Sequence, residues 1–443
     1  MVTTCLTVTL HDPVIARDSR PFGTGQRMGS LDWLYPSVLA GSLRTILGNI
    51  SQADFQKSET IEALKNISIA GPLPLWDGRI FLPAPKDILI KEVKEEKIIK
   101  RQAYAIRPTK IKDDEGCDLP FSKGALWPAM LPIQDEFKPA AIPAFWSADK
   151  MVEWLKSPNG KGFLVPPGPL DAEREIKAGS RFLSNPQKDM RTHVKIDLNL
   201  GTAQDEMLFR TVGLDLSLKG RSQGIQLAVR VEADRDFLGG KPLGDLIGGI
   251  DYFGPLGGER RLAHWKAEKP DAQAAYDWMQ SQAPDNPNGE KGFPDMICAA
   301  MNNQDAERKR VRLVLATPAI FSQGWLPQWL NLDGDSLIGA PYGAPDGLKL
   351  KLISACIDRW KPISGWCLEK GRRGQKKIRR LVPAGSVYFF EVLDGDANVL
   401  VKNLWLRSVC DKKQDRLDGF GLALWGVWDF FDDEEDNMKK WEV

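Results

Sequence analysis

Gly254-Pro255-Leu256-Gly257-Gly258-Glu259-Arg260-Arg261 is a glycine loop that runs straight into a strand-like stretch, residues 262–266. Before it come an alternating strand pattern over 225–233 and a helical pattern over 242–252. The second half of the chain repeats this order: a strand over 386–393, a helix over 398–409, the loop Asp418-Gly419-Phe420-Gly421, then a strand over 422–430. Each half also opens on a strand, 6–15 in the first and 311–317 in the second. Two copies of strand, helix, glycine loop and strand predict an α+β protein of two tandem ferredoxin-like (RRM-like) units with glycine-rich loops, each on a β-α-β-β-α-β plan.

The first unit is expected over 1–268, with a large lysine-, proline- and glycine-rich insertion at about 84–190. Residues 269–308 contain Pro284-Asp285-Asn286-Pro287-Asn288-Gly289 and read as a linker. The second unit takes 309–443 and ends in an acidic, solvated tail, Asp432-Asp433-Glu434-Glu435-Asp436. Further strand patterns fall at 79–82, 192–198 and 348–355, and further helical ones at 36–49, 61–66, 148–156 and 271–282.

A chain of 443 residues is too long for one ordinary core, in line with this division. Sixty basic against 59 acidic residues leave the net charge near zero, so a nucleic-acid partner has to be argued from local clusters. Six cysteines without a C-x-x-C pair, and only three histidines, predict neither a zinc site nor any other metal or cofactor. No basic stretch followed by an apolar run opens the chain, and no segment reaches the roughly 18 apolar residues of a membrane span. Reduced thiols in a cytoplasm are the expectation.

The best anion cradle is His11-Asp12-Pro13-Val14-Ile15-Ala16-Arg17-Asp18-Ser19-Arg20-Pro21-Phe22, followed by a proline-started helix carrying Ser37, Gly41 and Arg44. Helix N-terminal amides and the helix dipole favour phosphate there. Each glycine loop alone reads as a tight turn needing positive φ; at equivalent points of a repeat, the pair reads as ligand-holding loops. Gly257, Gly258, Arg260 and Arg261 would bring amides and guanidinium groups to a phosphodiester, with Gly419 and Gly421 as their counterparts. Neither loop has dinucleotide-fingerprint spacing.

Residues 369–380 hold seven positive charges against one negative, including Lys376, Lys377, Arg379 and Arg380, and read as an exposed phosphate-neutralising loop. Residues 86–112, with nine against four, read equally well as a solvated face. His193 sits in a strand pattern beside Lys195 and Asp197, a pairing that a metal-independent ribonuclease uses as general acid or base and phosphorane stabiliser. A packed histidine is the plainer reading. His264, next to Trp265, reads as structural. Trp33, Trp325 and Trp366 flank loops where an indole stacks on an unpaired base. The Asp333-Gly334-Asp335 and Asp394-Gly395-Asp396 pairs read as turns, so no catalytic constellation emerges.

The landmarks resemble the RAMP superfamily of CRISPR effector proteins, and more narrowly the family of third subunits of the Cmr (type III-B) RNA-guided complex. The resembling residues begin with Asp12-Pro13, Arg17-Asp18, Arg20-Pro21-Phe22, Pro36-Ser37 and Ala40-Gly41-Ser42-Leu43-Arg44. His193-Val194-Lys195-Ile196-Asp197, Gly257-Gly258-Glu259-Arg260-Arg261, Thr317-Pro318-Ala319-Ile320-Phe321 and Gly324-Trp325-Leu326-Pro327 follow. Ile363-Ser364-Gly365-Trp366 and Val382-Pro383-Ala384-Gly385-Ser386-Val387-Tyr388-Phe389-Phe390 complete the ordered set.

The resemblance implies a non-catalytic subunit that holds the 5′ tag of the CRISPR RNA in antiviral defence. It implies docking to the large polymerase/cyclase-like subunit and to the backbone RAMP subunits, with target RNA met indirectly and no membrane partner. A thumb-like hairpin that kinks the guide is expected within 84–190. The tag would be gripped by Ser37, Arg44, the two glycine loops and Arg260–Arg261, with Arg17, Arg20, His193 and Lys195 along the same groove. The competing expectation is a metal-independent endoribonuclease of CRISPR precursor RNA, using His11 or His193.

Overall fold

A computed structural model describes residues 2–17, 31–95, 98–110, 118–121, 125–131, 136–157, 180–218, 223–233, 237–238, 240–269, 279, 293–305, 309–367 and 374–430. The first half contains β1 (Val2–Leu10), α1 (Pro36–Ile50), α2 (Ser58–Asn66), β2 (Ser68–Trp76), β3 (Arg79–Pro83), β4 (Ile88–Glu95), β5 (Ile98–Ala105), β6 (Phe145–Ser147) and α3 (Ala148–Lys156). It continues with β7 (Phe182–Leu183), β8 (Gln187–Ile196), β9 (Ala203–Asp215), β10 (Gln226–Ala233), α4 (Leu243–Gly248), β11 (Asp251–Pro255) and β12 (Leu262–Ala267). The second half contains α5 (Phe293–Asn302), β13 (Arg310–Leu315), β14 (Leu330–Asp333), β15 (Ser336–Gly339), β16 (Lys349–Cys356), β17 (Lys361–Ile363) and β18 (Arg379–Leu381). It closes with β19 (Val387–Asp394), α6 (Asn398–Leu404), α7 (Lys413–Leu417) and β20 (Ala423–Val427). The protein is therefore mixed α/β and rich in strands.

The first sheet has eight strands in the order β11-β12-β1-β10-β2-β3-β6-β7. β1 lies between β12 and β10, antiparallel to both, with Val8 opposite Leu227 and Trp265. Pro36 starts α1 with a preset φ, and Leu39, Leu43, Ile46 and Leu47 recur at helical spacing to bury its stripe. α1 packs on β2, and α4 packs on β1 and β10.

The second sheet has six strands in the order β14-β15-β16-β19-β13-β20. β13 sits between β20 and β19, as β1 sits between β12 and β10. The two central strands leave their sheets alike. After β1, Val14 pairs with Leu214 and Gly258 donates its amide to Ile15 O at 2.7 Å. After β13, Ala319 pairs with Val382 and Gly421 donates its amide to Pro318 O at 2.8 Å. Both glycine loops thus clasp the exit of their own half's first strand.

The halves differ in helices. No helix follows β13: residues 316–348 carry four prolines, and the chain folds there into loops and the β14–β15 hairpin. α3 supplies cover instead. It comes from the first half, packs on β3 and β6, and lies with α5 against β20. Leu155 comes so close to β20 that a Cβ at Gly426 would lie 2.5 Å from its carbonyl oxygen. One contiguous apolar core therefore runs through both sheets.

The helix expected over 242–252 stops at Gly248, and Asp251–Pro255 instead forms the edge strand β11. The helix expected over 398–409 ends at Leu404. All but residue 279 of the helix expected over 271–282, Arg20 and the acidic tail lie outside the described residues. Segment 84–190 supplies the β4–β5 hairpin, β6 and α3, whereas the longest hairpin among the described residues, β8–β9, begins where that segment ends. No helix among the described residues is long and apolar enough to cross a membrane.

Candidate nucleic-acid interface

Three pieces of chain meet at the exit of β1. His11 N donates to Leu262 O at 3.1 Å, Val14 and Leu214 exchange two backbone bonds at the base of the β8–β9 hairpin, and Gly258 holds Ile15. Gly257 has φ +76°, and a Cβ there would lie 2.6 Å from Ile15 O, so the close approach demands glycine. Glu259 and Arg260 continue in the left-handed region at φ 54° and 50°. That sharp turn leaves Arg260 exposed, while Arg261 pairs with Glu259 at 3.2 Å. Arg17, exposed, is two residues beyond the Gly258 contact. Arg17, Gly257, Gly258, Arg260 and Arg261 therefore share one rim. Of these, Gly257 is already required by the protein's own packing.

Aromatic surface adjoins that rim. Phe253 on the edge strand stacks on His264 at 4.4 Å with the planes 12° apart, and His11 leans on the same ring at 5.4 Å. His264 Nε2 lies 2.6 Å from Asp251 Oδ1. The β8–β9 hairpin exposes Met190, Val194, Ile196, Leu208 and Phe209 along its length, and Leu198 and Leu200 near its turn. His193 stacks on Phe209 at 5.1 Å and places Nε2 2.8 Å from Thr211 Oγ1; Lys195 is exposed two residues on. Phe209 and Phe253 were not singled out by the sequence, because neither lies in a basic or glycine-rich motif.

The base of the hairpin is clasped. Asp32 accepts from Lys188 on β8 at 2.8 Å and from Lys361 on β17 at 3.4 Å. Partial burial raises the Asp32 carboxyl, but the two ammonium groups outweigh it and hold the group below the ordinary carboxylate value. The clasp is at full strength above pH 3.8 and is lost as pH falls through the lowered value. Asp32→Asn is expected to speed hydrogen exchange along 187–196, while global stability changes by less than about 1 kcal/mol because the pairs are exposed.

Other expected residues are placed elsewhere. Arg44 does not face the rim. Its Nη1 reaches Asp418 at 2.5 Å and its Nη2 reaches the carbonyls of Ile67, Lys65 and Leu417 at 2.9, 3.3 and 3.3 Å. The guanidinium is thus consumed in a joint between α1, the end of α2 and the second half. Gly419, at φ +90°, belongs to the same joint, and a Cβ there would lie 2.5 Å from Ile69 O. Gly421 packs on Cys410, whose thiol burial pushes up to about 12. Ser37 is half-buried in the first turn of α1.

Of the basic loop, Lys376 and Lys377 are exposed. Arg379 grips both oxygens of Asp415 at 2.8 and 2.7 Å, and burial still raises that carboxyl overall. Arg380 lays its guanidinium over Trp360 at 5.0 Å. Among the described residues, no three His, Cys, Asp or Glu side chains gather as a metal site would require.

A family model described as CRISPR-associated protein (Cas_Cmr3) matches residues 6–428. No curated protein matches the chain. Among solved structures, it is similar to a chain of the Type III-B Cmr-beta complex bound to cognate target RNA and AMPPnP, with 13% identity and a TM-score of 0.40 over 87% of this chain and 86% of that one. A chain of the same complex bound to cognate target RNA gives 12% and 0.39 over the same shares. A chain of the Csm3-Csm4 subcomplex of the type III-A CRISPR-Cas interference complex gives 10% and 0.35, over 87% and 92%. Likeness at that level carries no argument by itself. The family match runs from within β1 to the residue after β20, and by it the chain belongs to the CRISPR-associated Cas_Cmr3 family.

Proposed function

We propose that this subunit of a type III-B (Cmr) effector complex is a non-catalytic holder of guide RNA, gripping the 5′ tag at the exit of β1. The observation that carries the reading is the convergence of Arg17, the Gly257–Gly258 turn and Arg260–Arg261 on one exposed rim, flanked by the Phe253–His264 stack. Cations there neutralise phosphates and exposed rings stack on splayed bases, the usual division of labour on single-stranded RNA. The β8–β9 hairpin, with apolar side chains along it and at its turn, is the thumb that kinks the guide.

The finer fold reading is two tandem ferredoxin-like units. Numbered along the chain, the sets β1, β2, β10, β12 and β13, β16, β19, β20 each lie side by side in the order fourth, first, third, second, which is the ferredoxin order. The partners are the large polymerase/cyclase-like subunit and the backbone RAMP subunits, with this chain bridging them.

The test is binding of tag-bearing guide RNA by filter retention at several salt concentrations. Arg17→Glu with Arg260→Glu should weaken binding at least tenfold and flatten the salt slope by about two phosphate contacts. Unchanged affinity and slope would overturn the placement. His193 is tied to Thr211 and Phe209, so His193→Ala should leave repeat RNA uncut in chelator just as the parent protein does; specific cleavage lost in that variant would favour the ribonuclease.

A further inference from the structure

A second, separate concavity lies in the second half, around Gln323 and Gly324. One chamber, about 610 Å³, is walled by the indoles of Trp127, Trp325 and Trp360, with Ile357 and Val382. The adjoining chamber, about 550 Å³, is lined by Arg379, Lys412, Asp415 and Ser322. Gln323, Gly324 and Arg380 line both and form the sill between them.

The walls are held from behind. Trp127 N donates to Ile353 O at 2.8 Å, docking the inserted segment on β16. Tyr388 Oη donates to Trp325 O at 2.6 Å. Trp360 is half exposed and offers a ring with Arg380 over it at 5.0 Å. In the polar chamber Asp415 is answered by Arg379, which leaves Arg380 and Lys412 in excess. Asp358, which lines the aromatic chamber, pairs with Lys86 at 3.2 Å.

An apolar, indole-walled chamber joined to a cationic one matches a planar apolar group carrying an anion one linkage away. We infer that this concavity is a nucleotide site: one base inserts among the tryptophans against the exposed Trp360 ring, and its phosphate sits on Arg380 and Lys412. Each chamber by itself lies in the range of small-molecule sites. The nucleotide is either one residue of the bound RNA or a free mononucleotide, and the RNA source rests on the function proposed above. The site is distinct from the rim at the exit of β1: it is built by β16, β18, the loop after β13 and the inserted segment.

The experiment uses the full chain and three probes: a fluorescein-labelled eight-nucleotide adenosine RNA, the same RNA with abasic riboses, and AMP. Trp360→Ala, a change at an exposed ring that thermal melting should show to be folded, is expected to weaken RNA binding about tenfold. Abasic RNA should bind the parent protein about as weakly, and the variant should bind abasic RNA no worse than the parent does. AMP that quenches tryptophan fluorescence in the parent but not in Trp360→Ala identifies the free nucleotide as the ligand and equally supports the site. RNA binding lost with Arg17→Glu and Arg260→Glu but unchanged in Trp360→Ala overturns this site and leaves the functional reading standing. Failure to bind either RNA or AMP overturns both.

Discussion

Asp87→Ala is expected to lower the stability of the folded chain by about 3–5 kcal/mol in urea titrations, because it leaves a buried guanidinium without its counter-charge. Asp87 and Arg312 are fully buried, 2.6 Å apart, in the seam between the halves. Asp87 also accepts from Trp154 Nε1 at 3.0 Å, and Arg312 donates to the carbonyls of Trp154 and Ser157. Burial raises the carboxyl and lowers the guanidinium, so each charge persists only through its partners. Replacing both, Asp87→Leu with Arg312→Met, should cost much less than either alone, since the pair is worth little against an apolar isostere. A double variant as unstable as the sum of the singles would show that the carbonyl bonds, not the ion pair, hold the seam.

Arg44→Ala should cost about 2–4 kcal/mol of stability and leave the affinity for guide RNA within about twofold. Its guanidinium satisfies Asp418 and three carbonyls at a place where two halves meet, and its side chain is only 12% exposed. Removal strands those acceptors where water reaches them poorly. Arg260→Ala should show the reverse: near-parent stability, weaker RNA binding and a shallower salt slope. Affinity that drops with Arg44→Ala at temperatures where the variant is fully folded would return Arg44 to the RNA path.

The contrast between these two arginines shows what was legible. Both follow helix or glycine motifs that suit an anion, and the sequence singled out both. Arg44's true partner lies 374 residues away, and nothing local announces it. β1, β10, β13 and β19 were visible because β-branched and aromatic residues alternate in them or run continuously. β2 was hidden by Gly71, Pro72 and Pro74, although it is the fourth strand of the contiguous set β12-β1-β10-β2. β9 was hidden because Gln204, Asp205 and Glu206 near its start break the apolar pattern. The helix over 242–252 was extended too far because Tyr252 and Phe253 continue an apolar run that belongs to a sheet edge. The nucleotide concavity draws on residues from 119 to 415, so of its lining only Trp325, Arg379 and Arg380 were flagged in advance as ligand-binding.

The borrowed helix α3 has a consequence for how the chain is made. Met151, Val152, Trp154 and Leu155 belong to a helix that packs on β3 and β6 of its own half and on α5 and β20 of the other, and β20 is the last described strand. During synthesis the first half therefore emerges with this helix covered on one side only and waits for β20 to complete the cover. A ribosome-stalled or truncated product would display that helix, a ready target for chaperones and proteases. The same arrangement makes fragment complementation reciprocal. A peptide spanning 140–157 should rescue an isolated second half, while α7 of the second half packs on α2 and β2 of the first.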